Sequence, residues 1–294
     1  MGMQLQQLRY FVAVAESRHF TQAAENIGVT QPTLSKQIHT LEMDLGATLL
    51  NRGRGAITLT PAGEALLPLA RRIIADADTA RSEIGDLIGL RTGRLRLGAT
   101  PSLCTSLAAE ALRAFRDAHP GVRLQVEEGG SQDLVRTLTR GGLDLALIIL
   151  PEHGTDPALE TRPLLSESLV VASAYSLGRR EVEITDLRHY DLVMFRPGYD
   201  LRDATLEACG RAGFTPRFAV EGGEMDAVLG FVEAGLGVAL VPAMVLAGRP
   251  RLRATPLAAP GIPRTIALAQ RRDVEPTHAA RAFQEILLAH LADR

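Results

Sequence analysis

Residues 21–42 read TQAAENIGVTQPTLSKQIHTLE, two short amphipathic segments that are separated at Gly28. Thr21 can cap a helix over the first segment and Thr30 a helix over the second, because hydroxyl oxygens accept hydrogen bonds from the free N–H groups at helix starts. Pro32 falls in the first turn of the second segment, where its missing N–H costs little. The stretch therefore predicts two helices joined by a tight turn, with hydroxyl and amide side chains crowded at the start of the second helix.

The flanking segments predict a third helix and a hairpin. Apolar residues recur at three- and four-residue steps between Leu5 and Ala15, which predicts a helix in front of the pair. Behind the pair, TLL and AITLT are β-prone runs joined by NRGRG, whose glycines permit a tight hairpin with Arg52 and Arg54 at its tip. Residues 1–60 are therefore predicted to form a winged helix-turn-helix, which is a DNA-binding module.

Residues 61–90 are predicted to form one long helix that is capped by Thr60. Pro68 removes one hydrogen bond inside it, which predicts a bend near its start. The apolar residues have the spacing of a coiled-coil seam, and they are Leu66, Leu69, Ile73, Ala77, Ala80, Ile84 and Leu87. This spacing favours pairing with a second copy of the chain, and packing on the chain's own core is the alternative.

From residue 91 onward, short β-prone runs alternate with helical segments, which predicts an α/β domain with parallel strands and crossover helices. Ligands of such sheets lie beyond the carboxyl ends of strands and near helix N-termini. Arg196 is the sharpest candidate because a guanidinium in a cleft can bind a carboxylate, although an ion pair with Glu224 or Asp200 is its alternative role. The rule selects the candidate ligand-binding residues Thr100, Ser102, Ser131, Phe195, Arg196, Glu224 and Met225.

A specific combination of motifs extends over the whole chain. It begins with LRYFVAVAESRHFTQAAENIGVTQPTLSKQIHTLEMDLGATLLNRGRGAITLTPAG and continues more loosely with RTGRLRLGATPS, with GGLD before LALIIL, and with EAGLGVALVP. With these motifs the sequence strongly resembles the LysR-type transcriptional regulators. The resemblance implies that residues 91–294 form an effector-binding domain similar to periplasmic binding proteins, with lobe I at about 91–165 and 266–294 and lobe II at about 166–265. It also implies a small-molecule cleft between the lobes and assembly into dimers or tetramers.

The second helix of the pair is expected to enter the major groove of DNA, where polar side chains on its first turns can reach base edges. Gln31 can recognise adenine or bind a phosphate, and Thr30 can instead act only as a cap. The first 60 residues contain five basic and four acidic side chains, so the wing arginines are expected to supply much of the affinity through phosphate or minor-groove contacts. The candidate DNA-binding residues are Thr30, Gln31, Thr33, Ser35, Lys36, Arg52 and Arg54.

Cys104 and Cys209 are the two cysteines of the chain, and they lack the C-x-x-C spacing of a metal or dithiol site. We expect both to be small buried hydrophobic residues. The stretch YDLRDATLEAC nevertheless resembles the segment with paired redox cysteines in the peroxide-sensing members of the family. Cys209 matches one of those positions, and Asp200 stands at the other. A redox response through Cys104 and Cys209 is therefore an alternative function, and DNA binding without any ligand is another.

Other classes of protein are not supported by the sequence. It has no G-x-S-x-G, H-E-x-x-H or P-loop motif, no metal-ligand spacing, no secretory signal pattern, and no apolar run of about 18 residues. We therefore expect a cytoplasmic protein that is not an enzyme and needs no metal or cofactor. Its expected partners are double-stranded DNA, a small-molecule effector for which a carboxylate is one candidate, and further copies of the chain. The sequence predicts a ligand-controlled transcriptional regulator.

Overall fold

The computed structural model describes residues 2–51, 57–87, 93–151 and 154–292. The chain divides into two units, one of residues 1–93 with the short segment 139–142 and the other of residues 94–138 and 143–294. The predicted domain boundary at residue 90 lies outside the described residues, and the boundary at residue 60 immediately precedes a helix.

The first unit begins with three helices, α1 (Leu5–Ser17), α2 (Phe20–Asn26) and α3 (Gln31–Leu45). They enclose a core of fully buried side chains, with Phe11 from α1 and Leu34 and Ile38 from α3 among them. Gly28 has a φ of +70°, a left-handed conformation that glycine adopts without strain, so α2 and α3 can be joined by a tight turn.

The caps of these helices are partly as predicted. Thr30 does cap α3, because its Oγ1 accepts a hydrogen bond from the N–H of Thr33 at 3.4 Å. The prediction that Thr21 caps α2 is wrong, since α2 already begins at Phe20 and His19 occupies the capping position. The reason lies at the end of α1, where Arg18 adopts a left-handed conformation and directs the chain into the next helix within two residues.

The hairpin and a long helix complete the first unit. Strand β1 (Leu50–Asn51) pairs antiparallel with β2 (Thr58–Leu59), and the predicted wing residues Arg52 and Arg54 lie outside the described residues. Helix α4 (Pro61–Leu87) follows, and its N-terminus is capped as predicted by Thr60, which accepts from the N–H of Gly63 at 3.1 Å. Pro68 lies inside the helix.

The second unit is a mixed α/β structure. Its strands are β3 (Arg94–Ala99), β4 (Arg123–Glu128), β5 (Leu145–Leu150), β6 (Leu159–Ser173), β7 (Asp191–Met194), β8 (Arg217–Glu221), β9 (Ala239–Pro242), β10 (Arg253–Pro256) and β11 (Pro263–Arg271). Its helices are α5 (Pro101–Leu103), which continues through a π-helical turn into α6 (Ala109–Ala118), then α7 (Ser131–Thr139), α8 (Asp200–Arg211), α9 (Met225–Glu233) and α10 (His278–Ala292). Short 3₁₀ turns lie at Ile184–His189 and Ala243–Leu246.

Two long strands connect two separate hydrophobic cores within this unit. One core contains Leu97, Phe115 and Phe283, and the other contains Val171 and Val241. The first half of β6 pairs with β11, and its second half pairs with β9 and β10. Strands β6 and β11 therefore cross between two lobes, as the predicted two-lobed architecture requires.

The pairing directions correct one expectation. Strands β3, β4 and β5 are parallel, and so are β7 and β8, as the alternating sequence pattern predicts. All pairs that involve β6 or β11 are antiparallel. These strands run directly from lobe to lobe and are not connected to their neighbours through crossover helices, so the rule for parallel strands does not apply to them.

Candidate functional site

The exposed side of α3 is polar at its N-terminal turns. Gln31, Thr33 and Lys36 are exposed and Ser35 is half-buried. On the opposite side of the same turns, Leu34 is fully buried in the core. The helix is therefore anchored by its apolar face and presents amide, hydroxyl and ammonium groups to solvent, an arrangement that fits the grooves of DNA.

Two of the hydroxyl groups on this surface are engaged with each other. The Oγ1 atoms of Thr30 and Thr33 lie 2.8 Å apart, and Thr30 also caps the helix. Thr30 thus acts as a helix cap, which is the alternative to DNA contact that the sequence leaves open. Gln31 and Lys36 extend from the same turns without a hydrogen bond to any described residue that would hold their side chains back.

Helix α4 has an inner and an outer apolar face. On the inner face, Ala70 is fully buried and Leu66 packs against the core of the first unit. Ion pairs also join α4 to α1, with Arg71 to Glu16 at 2.8 Å as an example. The outer face exposes three large apolar side chains at seam positions: Leu69, Ile73 and Ile84 are 55%, 40% and 58% exposed. Leu66 therefore packs within the chain, and the exposed residues of the outer face leave pairing with a second copy as a prediction. The side chain of Leu87 lies outside the described residues.

Three of the predicted ligand-binding residues line a cleft between the two lobes of the second unit. Thr100 and Ser102 are buried after β3, and their hydroxyl oxygens lie 3.4 Å apart. Arg264 of β11 donates to the Ser102 Oγ at 3.3 Å and is itself paired with Glu167 of β6, whose Oε1 lies 2.5 Å from its Nη2. The positive charge at the base of the cleft is therefore compensated inside the protein.

The third residue, Ser131, joins the two lobes at the edge of the cleft. Its Oγ donates to Asp200 Oδ2 at 2.7 Å, and its N–H donates to the same oxygen at 3.3 Å. The Ser131 Oγ also accepts from the N–H of Ile149 at 3.1 Å. Because Ser131 begins α7 and Asp200 begins α8, this contact connects two helix N-termini from opposite lobes.

The other four candidates do not line this cleft, although Phe195 and Arg196 contact Tyr199, which does. Arg196 donates to Glu224 Oε1 at 2.9 Å with both side chains about half exposed, so the ion pair that the sequence left as an alternative is present. Phe195 is fully buried, and its ring stacks on the ring of Tyr199 with 4.6 Å between the centroids. Met225 is buried and lines a different cavity of about 330 Å³.

The cleft contains a narrow inner pocket beside a larger cavity of about 610 Å³. Both volumes are bounded by Asp200 and Arg264, and the inner pocket is also lined by Thr100, Ser102 and Tyr199. The Tyr199 hydroxyl is buried and finds no hydrogen-bond partner in the described part of the chain. Tyr199, Asp200 and Arg264 were missed as site residues because their partners are distant in sequence, although Asp200 begins a helix directly after a strand and loop.

The two thiols are in surroundings that suppress their reactivity. Burial raises the pKa of Cys104 to about 11, with a smaller contribution from the carboxylate of Glu128, and burial raises the pKa of Cys209 to about 11. Since the thiolate is the form that reacts with peroxides, both residues are poor nucleophiles at neutral pH. Cys209 is fully buried, as expected from the sequence, and Cys104 is half-buried.

Known protein families match both units. Residues 5–64 match the family of bacterial regulatory helix-turn-helix proteins of the lysR type, and residues 89–292 match the LysR substrate binding domain. The chain belongs to the LysR family of transcriptional regulators. Members of this family bind DNA, respond to effectors and form oligomers, so the predicted fold class and class of function are confirmed. Among the described residues, no helix is long and apolar enough to span a membrane, and no cluster of three metal-ligating side chains occurs.

Two curated relatives and two solved structures illustrate the similarity. The transcriptional dual regulator GltC of Bacillus subtilis is 31% identical over 292 residues, which are 97% of each chain. A probable hydrogen peroxide-inducible genes activator of Streptomyces viridosporus is 36% identical over 297 residues, which cover 97% of this chain and 92% of that protein. A full-length OxyR variant from Pseudomonas aeruginosa has a TM-score of 0.76 and 28% identity, with 99% and 95% coverage. CbnR in complex with its target DNA has a TM-score of 0.71 and 27% identity, with 97% and 99% coverage.

Proposed function

We propose that this protein is a cytoplasmic regulator that recognises a specific DNA sequence as a dimer or tetramer and changes its activity when a small molecule binds between the two lobes. The observation that carries the proposal is the two-sided character of α3. Its N-terminal turns expose Gln31, Thr33 and Lys36, while Leu34 and Ile38 are fully buried behind them. We expect regulation and no catalysis from such a chain.

Each polar residue of α3 has an expected role in DNA binding. The Gln31 amide is assigned to a base edge, and the Lys36 ammonium to a guanine or a phosphate. Thr33 and Ser35 offer hydroxyl groups on the same turns, and Thr30 orients the helix as its cap. From the sequence, Arg52 and Arg54 are assigned to phosphates or the minor groove beside the wing.

The outer face of α4 supports pairing of two chains. A single helix-turn-helix recognises only a few base pairs, so two half-sites are needed for specificity within a genome. Leu69, Ile73 and Ile84 lie four and eleven residues apart on an otherwise charged helix, and their exposure in a single chain is unfavourable. Burial of this stripe against a second α4 would remove it from water and hold two recognition helices together.

The interlobe cleft supports control by a small molecule. Thr100, Ser102 and Ser131 line its walls, and the larger cavity of about 610 Å³ has the volume of a typical small-molecule site. Its polar contacts join both lobes, so a ligand that displaces or bridges them would change the relation between the lobes. Peroxide sensing is the alternative function suggested by the names of some relatives, and the raised pKa values of both thiols argue against it.

Genome-wide mapping of DNA bound by the full chain tests the proposal. We expect a small number of discrete sites, each composed of two related half-sites. A Gln31→Ala variant should keep the same spacing and lose the preference at one base position in each half-site. Binding spread evenly over the genome would contradict sequence-specific regulation.

A further inference from the structure

We propose that the effector of this protein is an organic cation, an ammonium or guanidinium group attached to an apolar body, which binds in the interlobe cleft with its charge beside Asp200. The inference rests on the proposed function, in which a ligand in this cleft controls the protein. It concerns the chemistry of that ligand and replaces the expectation of a carboxylate, which depended on a free Arg196.

The arginines around the larger cavity are already neutralised by carboxylates of the chain. Each of the three that line it forms an ion pair at hydrogen-bonding distance, so none offers an uncompensated positive charge to a ligand. The pairs are Arg136 with Asp133, Arg211 with Glu207, and Arg264 with Glu167. Arg196, the cation that the sequence favoured, is paired with Glu224.

Two carboxylates of the same cavity form no ion pair at hydrogen-bonding distance, although the charge of Arg264, which Glu167 binds directly, also acts on one of them, Asp200. Within the described residues, neither Asp200 nor Asp203 forms an ion pair, although both line the cavity wall contributed by α8. Asp200 accepts hydrogen bonds from the Ser131 hydroxyl and N–H, which orient its carboxylate without cancelling its charge. The cavity therefore has an excess of negative charge, and a carboxylate ligand would be repelled at the position where a cation would be bound.

A buried hydroxyl next to Asp200 lacks the partner that a ligand could supply. Tyr199 is 6% exposed, lines the inner pocket together with Asp200, and has no hydrogen-bond partner for its hydroxyl among the described side chains and backbone groups. A buried polar atom without a partner is unfavourable, which makes it a site for a missing group. An ammonium has several N–H donors, so it can donate to the Tyr199 oxygen and to the Asp200 carboxylate together.

The lining of the larger cavity is the reason to expect an apolar body on the ligand. Its lining includes the apolar side chains of Ile149, Leu150, Leu201 and Ile262. A volume of about 610 Å³ is enough for a ligand with a ring or a short alkyl chain. An inorganic cation or a highly charged polyamine would leave these side chains uncovered.

Matched sets of probe compounds are tested for binding to the full chain, to determine which sign of charge the cleft prefers. The probes are benzylamine, benzoate and benzyl alcohol, and the corresponding three compounds with a cyclohexylmethyl body, measured by calorimetry and by the shift of the unfolding temperature. We expect at least one amine to bind about tenfold or more tightly than the carboxylate and alcohol of the same shape, which is the scale of one charge-assisted hydrogen bond.

The variant Asp200→Asn tests whether the charge acts at this place. Asn keeps an acceptor oxygen for Ser131 and has nearly the same shape, so the variant is expected to fold, and its unfolding temperature without ligand checks this. The preference for the amine should disappear in Asp200→Asn and persist in Asp117→Asn, a matched change at an exposed position on α6 outside the cavity. Tighter binding of a carboxylate, no binding of either amine, or an amine preference that survives in Asp200→Asn overturns the inference.

A measurement of DNA binding distinguishes failure of the ligand inference from failure of the proposed function. If the chain binds discrete DNA sites but the amines fail as described, the ligand inference is wrong and ligand-independent or anion-controlled regulation remains. If it binds no discrete sites, the regulator proposal itself fails, whatever the probes do.

Discussion

The ion pair between Glu167 and Arg264 is expected to make a measurable contribution to the stability of the second unit. The two side chains are 15% and 7% exposed, and both Nε and Nη2 of Arg264 donate to the same Glu167 oxygen, at 2.8 and 2.5 Å. Burial lowers the pKa of the Arg264 guanidinium, and the Glu167 carboxylate acts in the opposite direction. Removing the carboxylate leaves a buried charge with the Ser102 hydroxyl as a hydrogen-bond acceptor and the Asp200 carboxylate as a weaker electrostatic partner.

The size of the effect follows from this burial. Breaking a buried pair by removing one partner costs about 3 to 5 kcal/mol, and we expect about 3 kcal/mol for Glu167→Leu because the pair borders the open cleft. With a urea dependence of about 3 kcal/mol per molar for a unit of this size, the midpoint falls by about 1 M. Tyrosine fluorescence is a suitable probe, because Tyr175, Tyr190 and Tyr199 lie in this unit and Tyr10 alone lies in the other.

Two control variants test whether burial of the ion pair is the cause of the lost stability. Asp191→Asn breaks the pair with Arg217, whose two side chains are 56% and 66% exposed, and should cost at most about 1 kcal/mol. The double variant Glu167→Leu with Arg264→Met removes both charges and should recover more than half of the loss. A loss in Glu167→Leu no larger than that in Asp191→Asn would refute the argument from burial.

Four further outcomes are expected. Ile73→Asp places a charge in the exposed stripe of α4 and should convert the dimer into monomers, as measured by sedimentation velocity. Ile73→Ala should weaken the dimer less. A stable dimer of the Ile73→Asp variant would contradict pairing through this face. Tyr199→Phe removes a buried hydroxyl without a described partner, so stability by urea unfolding should be unchanged or up to about 1 kcal/mol higher, and a clear loss would reveal a partner. Because raised pKa values disfavour the thiolates, alkylation of Cys104 and Cys209 by iodoacetamide should be slow at pH 7, rise about tenfold per pH unit and level off only near pH 11. Peroxide should leave DNA binding unchanged. Gln31→Ala should cost about 1 to 3 kcal/mol at one base position in competition binding, and equal weakening on all sequences would assign Gln31 to a phosphate.

The features that could be predicted from the sequence are those that depend on neighbouring residues. Thr30 and Thr60 cap helices that begin directly after them, so three or four residues of sequence contain the whole interaction. The failure at Thr21 has the same local character, because the left-handed Arg18 brings the helix cap two residues earlier, to His19. A periodic apolar pattern likewise predicts the helix α4, but it does not state which of its apolar residues face the chain's own core.

The partners of the charged residues in the cleft could not be predicted, because they come from distant parts of the sequence. Ser102 and Arg264 are 162 residues apart, and Ser131 and Asp200 are 69 apart. Such contacts exist only after the crossing strands have brought the two lobes together, and no local pattern distinguishes a free arginine from a paired one. The sequence could therefore select Thr100, Ser102 and Ser131 by their place after strands, but it could not show that Arg264 is neutralised by Glu167.

The internal pairing of the arginines determines which ligand chemistry is expected in the cleft. Counted as residue types, its lining has arginines and hydroxyl groups, which would suit an anion. After pairing, Arg264 is matched by Glu167 at hydrogen-bonding distance, while Asp200 has the Ser131 hydroxyl and N–H as hydrogen-bond donors and only the more distant, already paired charge of Arg264 nearby. A ligand interacts with the charge that remains after internal pairing. In this cleft the remaining groups are the negative charge of Asp200 and the hydroxyl of Tyr199. Both favour a cation over an anion as the ligand.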